Sequence, residues 1–141
     1  MHMNEEGALE LIEWHDGRLG SISIAPETLT LGFTKCFVYR KRDSERYDIE
    51  ACGAELTLSS LASLHVDGVV VDGAAAVSDC EIFSQGQPAP ALNLLAGIGE
   101  GRLELVLTNG SRLEAAFGSA RVALVPPYRF VEVWEGPLIS E

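Results

Sequence analysis

Cysteine is scarce in this chain. Its three copies, Cys36, Cys52 and Cys80, are odd in number and far apart. That fits reduced thiols in a cytoplasmic setting better than a disulfide framework. Histidine is as rare, at His2, His15 and His65. No Cys-x-x-Cys, His-x-x-x-His or Asp-x-Asp-x-Asp run is present, so neither a metal site nor a cofactor is expected. Apolar runs stop far short of the ~20 residues of a membrane helix. The stretch Met1 to Glu6 has neither the basic nor the apolar region of a secretory leader. Met1-His2 ahead of Met3 reads as a cloning scar.

Basic residues are the most telling shortage. Ten lysines and arginines face 21 acids, for a net charge of −11. From 47 to 101 there is no lysine or arginine at all, against eight acids. Half of the basic residues crowd between Lys35 and Arg46. Such a chain is a poor partner for nucleic acid or an anionic membrane, whose phosphates it would repel. It is suited to solubility or to steering toward a basic protein.

Helical periodicity is nearly absent, and alternation with period two takes its place. Strands are expected at Ala8 to Trp14, Leu19 to Ile24, Thr28 to Phe33, Cys36 to Lys41, Arg46 to Cys52, Leu64 to Val71, Asp79 to Phe83, Leu103 to Leu107, Arg112 to Phe117, Ala120 to Val125 and Arg129 to Trp134. Short strands divided by regular turn signals predict an all-β fold. The expected architecture is a single-domain antiparallel β-sandwich or partly closed barrel of about 9–11 short strands with at most one short helix. A disordered tail is expected over 1–7, the domain over 8–136, and a second tail over 137–141. Asp16-Gly17 and Asp67-Gly68 read as tight hairpin turns, and Gln85 to Pro90 as a loop whose prolines remove ladder donors. "TLSSLASL", Thr57 to Leu64, is the one helix candidate, with Ser59 or Ser60 as its cap.

Asn109-Gly110 has the signature of a hairpin turn. A two-residue loop would set Leu105 against Glu114 and Leu107 against Arg112. A three-residue loop, Thr108 to Gly110 with Gly110 left-handed, instead sets Leu105 against Leu113 and Leu103 against Ala115. Alternation favours the second register, which also places Glu104 against Glu114 on the outer face. The same tripeptide, Asn109-Gly110-Ser111, matches a glycosylation acceptor, but with no leader visible the turn is the expected reading.

Catalytic signatures are missing. "GIGEG", Gly97 to Gly101, leads into an alternating strand, not the helix that a phosphate loop requires. There is no Gly-x-Ser-x-Gly elbow, and each cysteine sits in a strand pattern that suits a buried, inert thiol. A Cys80 nucleophile served by His65 is a remote alternative. Two carboxylate pairs, Asp48 with Glu50 and Asp79 with Glu81, project from one side of a strand at i, i+2. They could act as acid and base, but a solvated strand face carries such pairs routinely.

Aromatic residues mixed with charge point toward recognition. A four-residue turn over Arg42 to Glu45 would put Phe37 and Tyr39 beside Asp48 and Glu50. Tyr128, Phe130, Glu132 and Trp134 would share one side of the last strand. The leading expectation is a non-catalytic acidic protein that binds a basic protein partner, as inhibitor or immunity-type modules do. Its partner-binding candidates are Phe37, Tyr39, Asp48, Glu50, Asp79 and Glu81, with no catalytic residue. The alternative is a small-ligand-binding barrel or sandwich, and a hydrolase using a carboxylate pair ranks last. Open edge strands also allow a homodimer.

Overall fold

The computed structural model describes residues 8–43, 45–68 and 75–135. The expected tails over 1–7 and 137–141, and the end of the strand expected at Leu64 to Val71, lie outside the described residues. Among the described residues, nine strands and one helix follow in chain order: β1 (Ala8–Ala25), β2 (Thr28–Asp43), β3 (Arg46–Ser59), β4 (Ser63–Asp67), β5 (Ala75–Ser84), β6 (Gln87–Pro88), α1 (Ala91–Ala96), β7 (Gly101–Leu107), β8 (Arg112–Phe117) and β9 (Ser119–Glu135). All pairings are antiparallel, in one open sheet of order β4-β8-β7-β5-β1-β2-β3-β9, with β6 paired to β5.

The sheet has two wings that meet where Arg18 and Leu19 of β1 pair with Ala76 and Ala75 of β5. One wing lines up Ile22, Leu31, Leu56 and Val122 across β1, β2, β3 and β9. The other lines up Cys80, Leu105, Leu113 and Val66 across β5, β7, β8 and β4. Leu31, Leu56, Leu58, Leu103, Leu105 and Leu113 from the two wings belong to one buried cluster. The alternation expected of β-structure therefore closes a sandwich-like core between inner faces.

The strands are fewer and longer than the sequence suggests. β1, β2 and β9 each join two expected strands, and β3 extends beyond Cys52 to Ser59. His15 to Arg18 is no hairpin. The ladder between β1 and β2 jumps from Glu13–Phe37 to Arg18–Lys35, so the extra residues bulge while β1 keeps its partner. Asp16 supplies a positive φ of 67°, and a side chain on Gly17 would run into the Lys35 carbonyl.

The expected helix over Thr57 to Leu64 is absent. Leu56 and Leu58 are fully buried in alternation, so Thr57 to Ser59 continue β3. Ser60 turns the chain with a φ of 54°, and Ser63 and Leu64 open β4. Burial of two leucines on one sheet face outweighs a weak helical spacing. The helix lies instead at Ala91–Ala96, entered from Pro90 and ended by Gly97, with Ala91 and Leu94 buried. Within the expected loop, Gln85 and Gly86 both take positive φ, which makes a tight hairpin pairing Ser84 with Gln87 and Phe83 with Pro88.

The hairpin at Asn109 has the expected register. Leu105 pairs with Leu113, Leu103 with Ala115 and Glu104 with Glu114, and Gly110 has a φ of 92°. Asn109 Oδ1 accepts the Ser111 amide at 2.9 Å, which fixes the turn.

Candidate functional site

The outer face of β5-β7-β8-β4 is a grid of three rows. The central row is Glu81, Glu104, Glu114 and His65, in lateral register on four adjacent strands. One flanking row is Asp79, Val106, Arg112 and Asp67, and the other is Phe83, Arg102, Ala116 and Ser63. Five acids thus share this face with two arginines. Arg102 reaches Glu104 at 3.0 Å, and Arg112 approaches Glu114 at 3.5 Å. Glu81 has no ion-pair partner among the described residues. Directly opposed side chains in a ladder stand roughly 5 Å apart, so Glu104 is flanked by like charge from Glu81 on one side and Glu114 on the other, offset in part by Arg102 and Arg112.

His15, on β1, borders this face. Its Nδ1–H donates to the Ser78 carbonyl at 2.6 Å. That bond, and then the neighbouring Asp16 carboxylate, raise the imidazole pKa above its ordinary value. Asp79 and Glu81 are both exposed on this acid-rich face. The pairing of Glu104 with Glu114 was readable from the hairpin. Its extension to Glu81 and His65 depends on strand order, which no local pattern carries.

The other four candidates do not form one constellation. Phe37 pairs with Ala51, Tyr39 with Ile49, Val38 with Glu50 and Arg40 with Asp48. A bulge between Lys41 and Asp43 shifts β3 by one residue from the register of a four-residue turn. That single step exchanges faces. Phe37 and Tyr39 consequently lie with Tyr47 and Ile49, while Asp48 and Glu50 lie with Arg40. Glu50 accepts from Arg40 Nε at 2.8 Å and Asp48 from Arg42 Nε at 2.7 Å, which neutralises both carboxylates. The Arg40 guanidinium also lies over the Tyr128 ring at 5.1 Å. The Tyr39 hydroxyl donates to Glu13 at 3.0 Å. Burial, reinforced by that bond, pushes the phenol up to about 12.

The last strand departs from expectation for the same reason. Ile49 pairs with Glu132 but Glu50 pairs with Phe130, so Val131 is an extra residue. Tyr128 and Phe130 are left on one face, and Glu132 and Trp134 on the other.

A groove that sequence inspection misses runs across the long wing. It encloses about 650 Å³ where β1, β2, β3 and β9 all break register. Gly20, Gly32, Ala51 and Gly53 line it together with Pro126 and Pro127, and Lys35, Arg129 and Glu55 supply charge. A Cβ on Gly32 would collide with Ser21 Oγ. The glycines on this side of β1, β2 and β3 were the available signal.

Among the described residues, no group of three or more histidines, cysteines or acids could hold a metal ion. Cys80 is buried on the inner face, and burial pushes its thiol up. His65 stands on the outer face, so the two cannot act together. Cys36 and Cys52 are buried and directly opposed, with sulfurs 4.0 Å apart. Their mutual hydrogen bond and burial hold the Cys36 thiol well above its ordinary value. Among the described residues no helix is long and apolar enough to cross a membrane. No protein-family model, no curated protein and no solved structure matches this chain.

Proposed function

We propose that this protein is a non-catalytic binding module that holds a basic protein partner on the outer face of β5-β7-β8-β4, in the manner of an inhibitor or immunity-type protein. The carrying observation is the row Glu81, Glu104 and Glu114. Like charges in direct opposition weaken a sheet, and a local rule broken on a solvated face is a sign of a surface kept for a task. Asp79 and Asp67 extend the field, and the excess of eleven negative charges in the whole chain reinforces it. An acidic field accelerates encounter with a cationic surface and makes association sensitive to salt.

The test uses the wild-type chain and a variant carrying Glu81→Lys, Glu104→Lys and Glu114→Lys as paired baits. A basic protein retained at low salt by the wild type alone, and released at high salt, is the expected outcome. Identical capture by both baits, or no capture by either, would reject the assignment.

The groove supports a second reading, a small-ligand carrier. Its size suits a small organic molecule, with Lys35 and Arg129 available to an anionic group. Native mass spectrometry of the purified protein decides it: a bound mass supports the carrier, and a bare chain mass counts against it.

A further inference from the structure

Among the described residues, β9 is the last strand on its side of the sheet. Apart from the bridge of Ala120 with Ile98, its ladder among those residues runs to β3. Pro126 and Pro127 have no amide hydrogen to offer a further strand. Beyond them the segment 128–133 presents Tyr128, Phe130 and Val131 at 43%, 61% and 47% exposure. An open edge with exposed large apolar side chains is a template for strand addition.

We infer that the occupant of this edge is a second copy of the same chain, paired antiparallel through 128–133 about a two-fold axis between Phe130 and Val131. Charge and face complementarity select it. In this register Arg129 opposes Glu132 of the second copy, twice by symmetry. Arg129 pairs internally with Ala51 and Glu132 with Ile49, so both lie on one sheet face and can meet. Tyr128 opposes Val133 of the second copy. Tyr128 packs under Arg40 and Val133 pairs with Asp48, which places both on the other face. Phe130 meets Val131. Sliding by one residue sets side chains of opposite faces against each other. Sliding by two residues toward the C-terminus sets Glu132 against Val131 and Tyr128 against Glu135. Only the first register joins opposite charges while keeping apolar residues together, and the bulge at Val131 is what makes it face-matched.

The interface is a short strand pair, small beside the area of a permanent dimer, so the dimer is concentration-dependent. It uses a surface separate from the acidic face and does not rest on the function proposed above.

Sedimentation velocity over a concentration series tests it. The wild type should move from one chain mass to two. Arg129→Glu alone and Glu132→Arg alone should each weaken the dimer on the order of tenfold, because two attractive pairs become two repulsive ones. Mixing the two variants should restore the heterodimer, since each new charge then faces its opposite. Circular dichroism of each variant confirms that the exposed substitutions leave the fold intact. A wild type that stays at one chain mass overturns the inference. So does a dimer insensitive to both substitutions, or a mixture that fails to recover.

Discussion

Tyr39 shows how the fold controls a single ionisation. Its phenol rises from 10.0 to about 12 because burial and the bond to Glu13 both favour the protonated form. Between those pH values the folded chain keeps a proton that the unfolded chain has released. The associated stability is complete below pH 10 and is lost as the pH climbs through about 12. Tyr39→Phe should remove this dependence, so the wild type should lose stability faster than the variant above pH 10. Urea midpoints measured against pH for both proteins check it, and superimposable slopes would refute it. Asp48 and Glu50 carry the complementary lesson. Their spacing on a strand was legible, but their partners were not. Arg40 and Arg42 reach them only because a bulge near Asp43 sets the register, and alternation looks the same on either side of a one-residue bulge.

At the scale of elements, the β7–β8 hairpin was legible down to its pairs. A glycine turn and six inward apolar residues leave one consistent register there, because the alternative buries charge against leucine. The long strands were not legible as units. Asp16-Gly17 carries turn chemistry, yet the chain uses it to absorb extra residues inside β1, since Leu9, Ile12 and Leu19 all stay buried along the same ladder partner. The short helix at Ala91 had its own signals, proline before and glycine after, but six residues are too few for periodicity to register. The glutamate row yields a prediction at this scale. Glu104→Thr replaces the central carboxylate by a β-branched residue and relieves repulsion from both neighbours, at the loss of one exposed contact with Arg102. The expected gain is about 0.2–1 kcal/mol, read from urea denaturation. A loss of stability would mean that the arginine contact outweighs the repulsion.

For the whole molecule, the charge balance was readable before any fold, and the class of fold followed from periodicity alone. What periodicity could not supply was which strands become neighbours. Strand order is decided by packing between residues distant in sequence, and it alone assembles Glu81 with Glu104, or sets Gly20 and Gly32 beside Gly53. The acidic face and the groove were therefore visible only as scattered residues. The open edges matter at this scale too. A sheet that does not close keeps donors and acceptors at both sides, and charge or proline must guard whatever is not used.

The coincident register breaks of the four long strands have a mechanical consequence. Amide bonding is interrupted at one level, near Cys36 on β2, Cys52 on β3 and the proline pair on β9, so local opening should start along that seam. Hydrogen–deuterium exchange should reveal two islands of slow amides on these strands, 19–25, 28–33, 54–59 and 120–124 in one and 37–41 with 47–50 in the other. Fast exchange should trace the line between them, as a crease divides two stiff panels of folded card.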